Sequence, residues 1–296
     1  MITLLSTYLR QHASDAQHPV CGDHPSFLKL HNGDGLRNPK VSFVAFCDGL
    51  PCAFIKTARR VEDGWVIERA HAGLKRAAVL STDVVWTSSL PRPLWLETGE
   101  YGVFCAETML SGIPLPATPE AHQAVLSWLS LFGRVARNGT LRAEDVDAVY
   151  ARVRTLVGCA DVAVGAHLDE TYASLMKQID RSAFVLPRMP AHGDFTSSNV
   201  LYVPGQVGVI DWDRFGDIEI PLFDLFTYLD RLTPAGEDVR VRYAPEIMQA
   251  LKELSISDVL LPLLFFFYRI LTDWRKREFF VATEAATWDA RLCATL

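Results

Sequence analysis

Between His192 and Asp224 the chain carries residue types that phosphate and metal chemistry requires. The run reads His192-Gly193-Asp194-Phe195-Thr196-Ser197-Ser198-Asn199. Two short β-prone segments follow, at 199–203 and 206–210, joined by Pro204-Gly205, and then comes Asp211-Trp212-Asp213. Moving a phosphoryl group requires cations to neutralise the phosphate oxygens, a carboxylate to take or orient the proton of the attacking hydroxyl, and accurate positioning. Magnesium prefers oxygen ligands, commonly one or two carboxylates completed by phosphate oxygens. Asn199 opens the predicted hairpin and Asp211 closes it, so a tight turn at Pro204-Gly205 brings both to the same end, where they supply such oxygens. Asp194 precedes the hairpin on a loop and is the natural catalytic base, and Gly193 lets the backbone turn sharply beside it. Taken singly, a His-Gly-Asp turn or an Asp-Trp-Asp loop carries no such meaning. The combination does.

Elements must hold these residues in place. Residues 27–30, 41–46 and 53–56 are β-prone runs separated by Asn32-Gly33-Asp34-Gly35 and Asp48-Gly49-Leu50-Pro51, which predicts three antiparallel strands. Over 62–79, Val66, Ala70, Leu74 and Ala77 recur at helical spacing. Strands are predicted at 94–96 and 101–106, and 112–116 reads as a connector. Thr118-Pro119-Glu120 then starts a helix, with Thr as cap and Pro in the first turn. Further helices fit 143–157, 167–180, 221–232, 241–254 and 258–279, and 3–13 suits a short amphipathic one. Strands with one helix, a connector, then helices interrupted by a hairpin make an α+β chain, with a small antiparallel-sheet lobe over 1–107 and a larger helical lobe over 108–296.

The stretch from 190 to 226 resembles the catalytic and metal-binding loops of the aminoglycoside phosphotransferase/choline kinase-like family, relatives of protein kinases. Gly193 stands where the kinase signature H-R-D-L-x-x-x-N has Arg, and Asp211-Trp212-Asp213 stands in place of D-F-G. No A-P-E signature follows, which argues against a protein kinase. The resemblance implies a two-lobed protein-kinase-like fold and a kinase for small-molecule hydroxyls. It implies Asp194 as catalytic base and Mg2+ held by Asn199 and Asp211. His192 would support the loop from beneath, and Asp224 would open a helix and brace the loop. Asp213 either assists the metal or is simply solvated. A kinase-like lobe also implies a third-strand lysine, Lys56, paired with a helix glutamate, Glu68, with Glu62 as the other candidate. The phosphate-covering loop would contain Gly33 and Gly35, although 32–38 does not match G-x-G-x-x-G. The nucleobase would meet backbone near Glu107, Thr108 and Met109. ATP and GTP both remain open as phosphoryl donor.

The acceptor is expected to enter from the helical lobe. Asp217, Glu219, Asp230, Glu237 and Asp238 form either an acidic cleft for an amine-bearing acceptor (an aminoglycoside, an amino sugar or a choline-like amine) or a solvated charged face, with Arg231 and Arg240 nearby. Phe265, Tyr268, Trp274 and Trp288 wall a pocket on one reading and fill the core on the other. Composition sets the outer limits. The chain has 296 residues, 49% hydrophobic and 22% charged, with a net charge of -6. That is a globular composition, poorly suited to nucleic acid or an anionic membrane surface. The apolar run 259–268 falls short of the roughly 20 residues a membrane helix needs. Six cysteines without zinc-ligand spacing, and no export signal, read as reduced thiols in a cytoplasmic protein. Two rival readings remain. One is a catalytically silent, kinase-shaped nucleotide-binding module acting through a partner. The other is a metal-dependent hydrolase built on His192, Asp194, Asp211 and Asp213.

Overall fold

A computed structural model of the chain describes residues 26–30, 39–99, 102–157 and 162–279. The helix expected at 3–13, the glycine loop with Gly33 and Gly35, and Trp288 lie outside these residues, as does the side chain of Trp274. The chain divides into two compact units. One comprises 1–125 with 197–215, and the other 126–196 with 216–296. The sequence places a single boundary after residue 107; in this division the hairpin 197–215 is counted with the N-terminal unit.

The first unit is built on five strands: β1 (Ser26–Lys29), β2 (Lys40–Cys47), β3 (Leu50–Ala58), β4 (Pro93–Gly99) and β5 (Gly102–Glu107). They pair antiparallel in the order β1-β2-β3-β5-β4. Asp48 and Gly49 form the two-residue β2–β3 turn with φ of 52° and 79°. The positive φ at both positions is what a tight hairpin of this twist demands. Val41, Phe43, Ala45, Ala53, Ile55, Trp95 and Ala106 form an apolar cluster on one face of the sheet. On the other face Ala58, Val103 and Cys105 pack with Ile67 of α1 (Gly64–Ala78). Burial of Val66, Ile67, Ala70, Gly73, Leu74 and Ala77 confirms the helical stripe read from the sequence.

Next comes α2 (Val84–Ser88), a short helix not foreseen, capped by Asp83, whose carboxylate accepts from the Val85 and Trp86 N–H groups. The expected connector carries a short strand, β6 (Ile113–Pro114), and α3 (Pro119–Val135) starts where predicted, with Thr118 Oγ1 accepting from Ala121 N–H at 3.3 Å.

The second unit contains the pair β7 (Thr140–Leu141) and β8 (Leu186–Pro187), with the helices α4 (Ala143–Val157) and α5 (Val162–Lys177). The rings of Tyr150 and Tyr172 stack at 4.0 Å, and their hydroxyls donate crosswise, Tyr150 to Asp169 and Tyr172 to Asp147, each at 2.6 Å. The hairpin strands are β9 (Val200–Val203) and β10 (Gln206–Val209), which belong to the first unit. The remaining helices are α6 (Phe223–Leu232), α7 (Val239–Arg242), α8 (Ala244–Glu253) and α9 (Leu261–Phe279). Pro262 occupies the first turn of α9, where its missing N–H has no helical partner to lose. Leu263, Leu264, Phe266, Phe267 and Ile270 are buried along that helix. Among the described residues no single helix is long and apolar enough to cross a membrane.

Candidate active site

In the first unit the hairpin is formed as the sequence predicts. β9 and β10 pair with Val200 opposite Val209, and Gly205 turns the chain with φ +79°. β6 adds on the far side of β9. Ile210 N–H donates to the Asn199 carbonyl at 3.0 Å, so Asn199 and the residue before Asp211 close the open end of the ribbon together. Asp211 itself takes a left-handed conformation, φ 66° and ψ 60°. That region costs a non-glycine residue on the order of 1 kcal/mol, so the surroundings must over-determine it.

Those surroundings are visible. Trp212 is buried and meets Trp86 edge-on at 6.0 Å, and its indole N–H donates to the Val209 carbonyl at 2.9 Å. An edge-to-face pair of this kind adds about 0.5–1.5 kcal/mol beyond burial. Ser89 accepts Val209 N–H through its carbonyl at 2.8 Å, and Arg76 of α1 donates to the Phe215 carbonyl. Gly73 lets α1 approach closely. A Cβ built there would lie 2.0 Å from the Trp212 carbonyl oxygen.

On the α1-facing side of the sheet, three long polar side chains converge with this loop. Ladder partners share a face, and the partner pairs Lys40–Ala58, Ser42–Lys56 and Phe54–Glu107 put Lys40, Lys56 and Glu107 together. Lys56 Nζ lies 3.0 Å from Glu107 Oε1 and 3.8 Å from Asp211 Oδ1, and both Lys56 and Glu107 are buried. Lys40 Nζ lies 2.9 Å from Asp211 Oδ1 and 3.0 Å from Asp213 Oδ2. Burial acts to lower the pKa of each lysine. The Asp211 and Asp213 carboxylates outweigh it at Lys40, and Glu107 followed by Asp211 outweighs it at Lys56, so both are held above their ordinary value and stay charged. Burial pushes the neighbouring Cys105 thiol up to about 12, which keeps it neutral and inert.

In the second unit, the loop bearing Asp194 is held from both ends. Ala191 N–H donates to the Ile218 carbonyl at 2.8 Å, and Gly216 N–H to the Ala191 carbonyl at 3.0 Å. Asp224, in the first turn of α6 and buried, accepts from His192 N–H at 2.7 Å and Gly193 N–H at 3.0 Å. Gly193 has φ 82°, the left-handed turn its sequence position anticipated. His192 is fully buried, and its Nδ1 accepts from Asp194 N–H at 3.2 Å. Phe195, also fully buried, stacks on Trp128 of α3 at 5.2 Å. The loop is thus pinned by buried groups on either side of Asp194, which is itself half-buried.

Several expected residues fall elsewhere. Glu68 is exposed, and no ion pair joins it or Glu62 to Lys56. Glu68 stands one position beyond the stripe of α1 that packs on the sheet, at Val66 and Ile67, so it faces away. The carboxylate on Lys56 is instead Glu107, expected only as a backbone contact for a nucleobase. Met109 is 37% exposed, just beyond β5, while Thr108 closes the β4 end by donating N–H to the Arg92 carbonyl and accepting Arg92 N–H on its hydroxyl. The acids read as either a cleft or a solvated charged face are mostly answered by bases or hydroxyls. Glu219 pairs with Arg188, Asp238 with Arg240, Glu237 with Arg242, and Asp230 accepts from Tyr268. Asp217 and Glu219 line a groove shared with Asp145, Arg152 and Arg188, whose walls carry both signs. Phe265 and Tyr268 are buried against Phe226 and belong to the core. Lys40 is the residue the sequence reading missed.

Does this donor set suit magnesium? Asp211, Asp213 and Asn199 offer only oxygen ligands on the protein side, of the hard type that ion takes. Two of them already grip a cation, the Lys40 ammonium. Among the described residues no group of three or more His, Cys, Asp or Glu side chains is arranged to hold a metal ion. An ion here would be shared with ligands from outside the protein, as phosphate oxygens would be.

Comparisons with known proteins follow the same line. The family described as phosphotransferase enzyme family, APH, matches residues 54–253. A ternary complex of streptomycin, ATP and APH(2")-IIa superposes with TM-score 0.62 at 13% identity, covering 100% of this chain and 97% of that one. A GDP complex of a mutant aminoglycoside 2'-phosphotransferase-IIIa gives 0.60 at 11% identity, covering 99% and 94%. A thermostable mutant of APH(4)-Ia with ADP and hygromycin B gives 0.59 at 18% identity, covering 91% and 92%. At these identities the likeness is one of fold, which is the protein-kinase-like fold. No curated protein matches the chain.

Proposed function

Because the chain belongs to the phosphotransferase enzyme family, we propose that it moves the terminal phosphoryl group of ATP or GTP onto a hydroxyl of a small molecule. The observation that carries this reading is the buried Lys56 ammonium, held between Glu107 and Asp211 at 3.0 and 3.8 Å. A lysine kept charged and stretched toward the metal-loop carboxylate is a preformed ligand for nucleotide phosphates.

In this reading Lys56 binds phosphate oxygens, and Glu107 fixes its side chain. Asn199 and Asp211 would hold magnesium, which when bound would neutralise phosphate charge. Asp194 accepts the proton of the acceptor hydroxyl as its oxygen bonds to the terminal phosphorus, and the bond to the nucleoside diphosphate breaks. His192 and Asp224 position the Asp194 loop through the hydrogen bonds described above. Two of the structural relatives are complexes with an aminoglycoside, streptomycin in one and hygromycin B in the other, which makes that class the first to try as acceptor. The mixed charges around Arg188 argue for including neutral sugars and nucleosides alongside amines.

Calorimetric titration of ATP and GTP, with magnesium and with EDTA, tests the nucleotide half. Wild type binds at least one of them, more tightly with magnesium. Asp211→Asn is expected to lose the magnesium-dependent increment. No binding of either nucleotide by the wild type, under either condition, would remove the basis of the proposal.

A further inference from the structure

We propose that Lys40 is a phosphate-binding residue that rests on the metal-loop carboxylates while the nucleotide is absent, and moves to the triphosphate when nucleotide and metal arrive. The inference rests on the phosphotransferase reading above and assigns a role to a residue which that reading does not use.

Three observations carry it. The first is placement. Lys40 opens β2 two residues after the sequence Asn32-Gly33-Asp34-Gly35-Leu36-Arg37-Asn38, which lies between β1 and β2 and lacks the G-x-G-x-x-G pattern of a phosphate-covering loop. Backbone N–H groups of such a loop ordinarily hold the phosphates. A chain without the pattern has reason to recruit a side-chain cation at the same place.

The second is competition. The Lys40 ammonium bridges Asp211 and Asp213 at 2.9 and 3.0 Å, and contacts both oxygens of Asp211 at 2.9 and 3.2 Å. Those oxygens are the ones a divalent ion would take. An ammonium and a divalent cation compete for the same carboxylates, so loading the ion loosens the hold on the lysine. The flexible four-carbon stem of a lysine allows displacement without backbone movement.

The third is charge. Glu107, Asp211 and Asp213 meet Lys40 and Lys56 in one cluster, three negative groups against two positive. Adding a divalent ion alone would place it beside an ammonium held on the same carboxylate. Adding it with a triphosphate gives Lys40 new anionic oxygens on the sheet face it shares with Lys56. Lys40 would thereby favour metal that arrives with nucleotide over metal that arrives alone.

The test uses the full chain as wild type, as Lys40→Met, and as Lys40→Met with Asp213→Asn. The double variant balances the charge left by removing the lysine and guards against a folding defect. Two quantities are read: nucleotide affinity at saturating magnesium, and Mn2+ affinity of the nucleotide-free protein by its paramagnetic signal. Losing one charge-assisted phosphate contact should weaken nucleotide binding at saturating magnesium about tenfold or more in both variants. Lys40→Met should bind Mn2+ alone more tightly than wild type. If wild type binds nucleotide, and both variants match it within twofold at saturating magnesium, Lys40 is a structural ion-pair partner only and the proposal is overturned, whatever the Mn2+ affinity. If wild type binds no nucleotide, the phosphotransferase reading fails first and takes this inference with it.

Discussion

Lys56 on β3 and Glu107 at the end of β5 form a buried ion pair, 3.0 Å from nitrogen to oxygen, diagonally across two neighbouring strands. The pair replaces the helix-to-strand partnership that a kinase-like layout leads one to expect. Removing one member of a buried pair leaves the other uncompensated, which costs about 3–5 kcal/mol. Glu107→Ala should therefore lower the urea midpoint by that equivalent and weaken nucleotide binding. Glu68→Ala, on an exposed position, should change stability by no more than about 0.5 kcal/mol and leave nucleotide affinity near wild type. Comparable damage from both substitutions would reinstate Glu68 as the partner of Lys56.

Gly73 sets how closely α1 lies against the Asp211-Trp212-Asp213 loop. A methyl group there would sit 2.0 Å from the backbone oxygen of Trp212, which cannot swing aside as a side chain would. Gly73→Ala is expected to cost about 1–3 kcal/mol through overpacking. Because the displaced backbone adjoins Asp211, magnesium-dependent nucleotide binding should fall as well. A variant with wild-type stability in urea would show that the helix and loop separate freely.

Acid stability should depend on Asp147 and Asp169 of the second unit, each held by an arginine and a tyrosine. A hydrogen bond from Arg181 outweighs burial and, with a lesser one from Tyr172, holds the Asp147 carboxyl below 3.8, and hydrogen bonds from Arg154 and then Tyr150 outweigh burial to lower Asp169 in the same way. The folded pKa lies below the unfolded one, so the unfolded chain takes up more protons as the pH falls. The contribution is present above pH 3.8 and is lost as pH falls through the folded values. Both groups are partly exposed, and solvent screening keeps the effect modest. Urea midpoints measured between pH 5 and pH 3 should decline less steeply in Asp147→Asn and Asp169→Asn than in wild type. Equal slopes would show that other carboxylates govern the acid limb.

Local patterns made much of this legible. Asp48-Gly49 and Pro204-Gly205 each contain a residue suited to positive φ, and both hairpins form there. The α1 stripe, the Thr118 cap and the Gly193 turn follow from equally local rules. Long-range consequences were not legible. The pairing of β2 with β3 shifts register between Ala45 and Phe46, leaving Cys52 as the extra residue. With an unbroken register from the Asp48-Gly49 turn, Lys56 would sit opposite Val41. The shift places it opposite Ser42, on the same face as Lys40. One unpaired residue therefore decides whether two lysines share a site, and nothing in the strand composition announces it. The pairing of Glu107 with Lys56 was missed for a related reason. Its role depends on β5 lying next to β3, a pairing between strands far apart in sequence. The acids of 217–238 left a cleft and a charged face both open in the sequence, since some of the bases that neutralise them come from other segments, such as Arg188 for Glu219.

Phosphoryl transfer measured directly is the sharpest test of the central claim. Radiolabelled ATP and GTP with magnesium would be offered a panel of aminoglycosides, amino sugars, choline-like amines, sugars and nucleosides, using wild type and Asp194→Asn. The account predicts label on one acceptor class with wild type. It also predicts a loss of at least about a hundredfold in Asp194→Asn, with nucleotide affinity unchanged. Turnover by Asp194→Asn close to that of wild type would contradict the assignment of the base, and nucleotide binding by wild type without transfer to any acceptor would contradict the reaction itself.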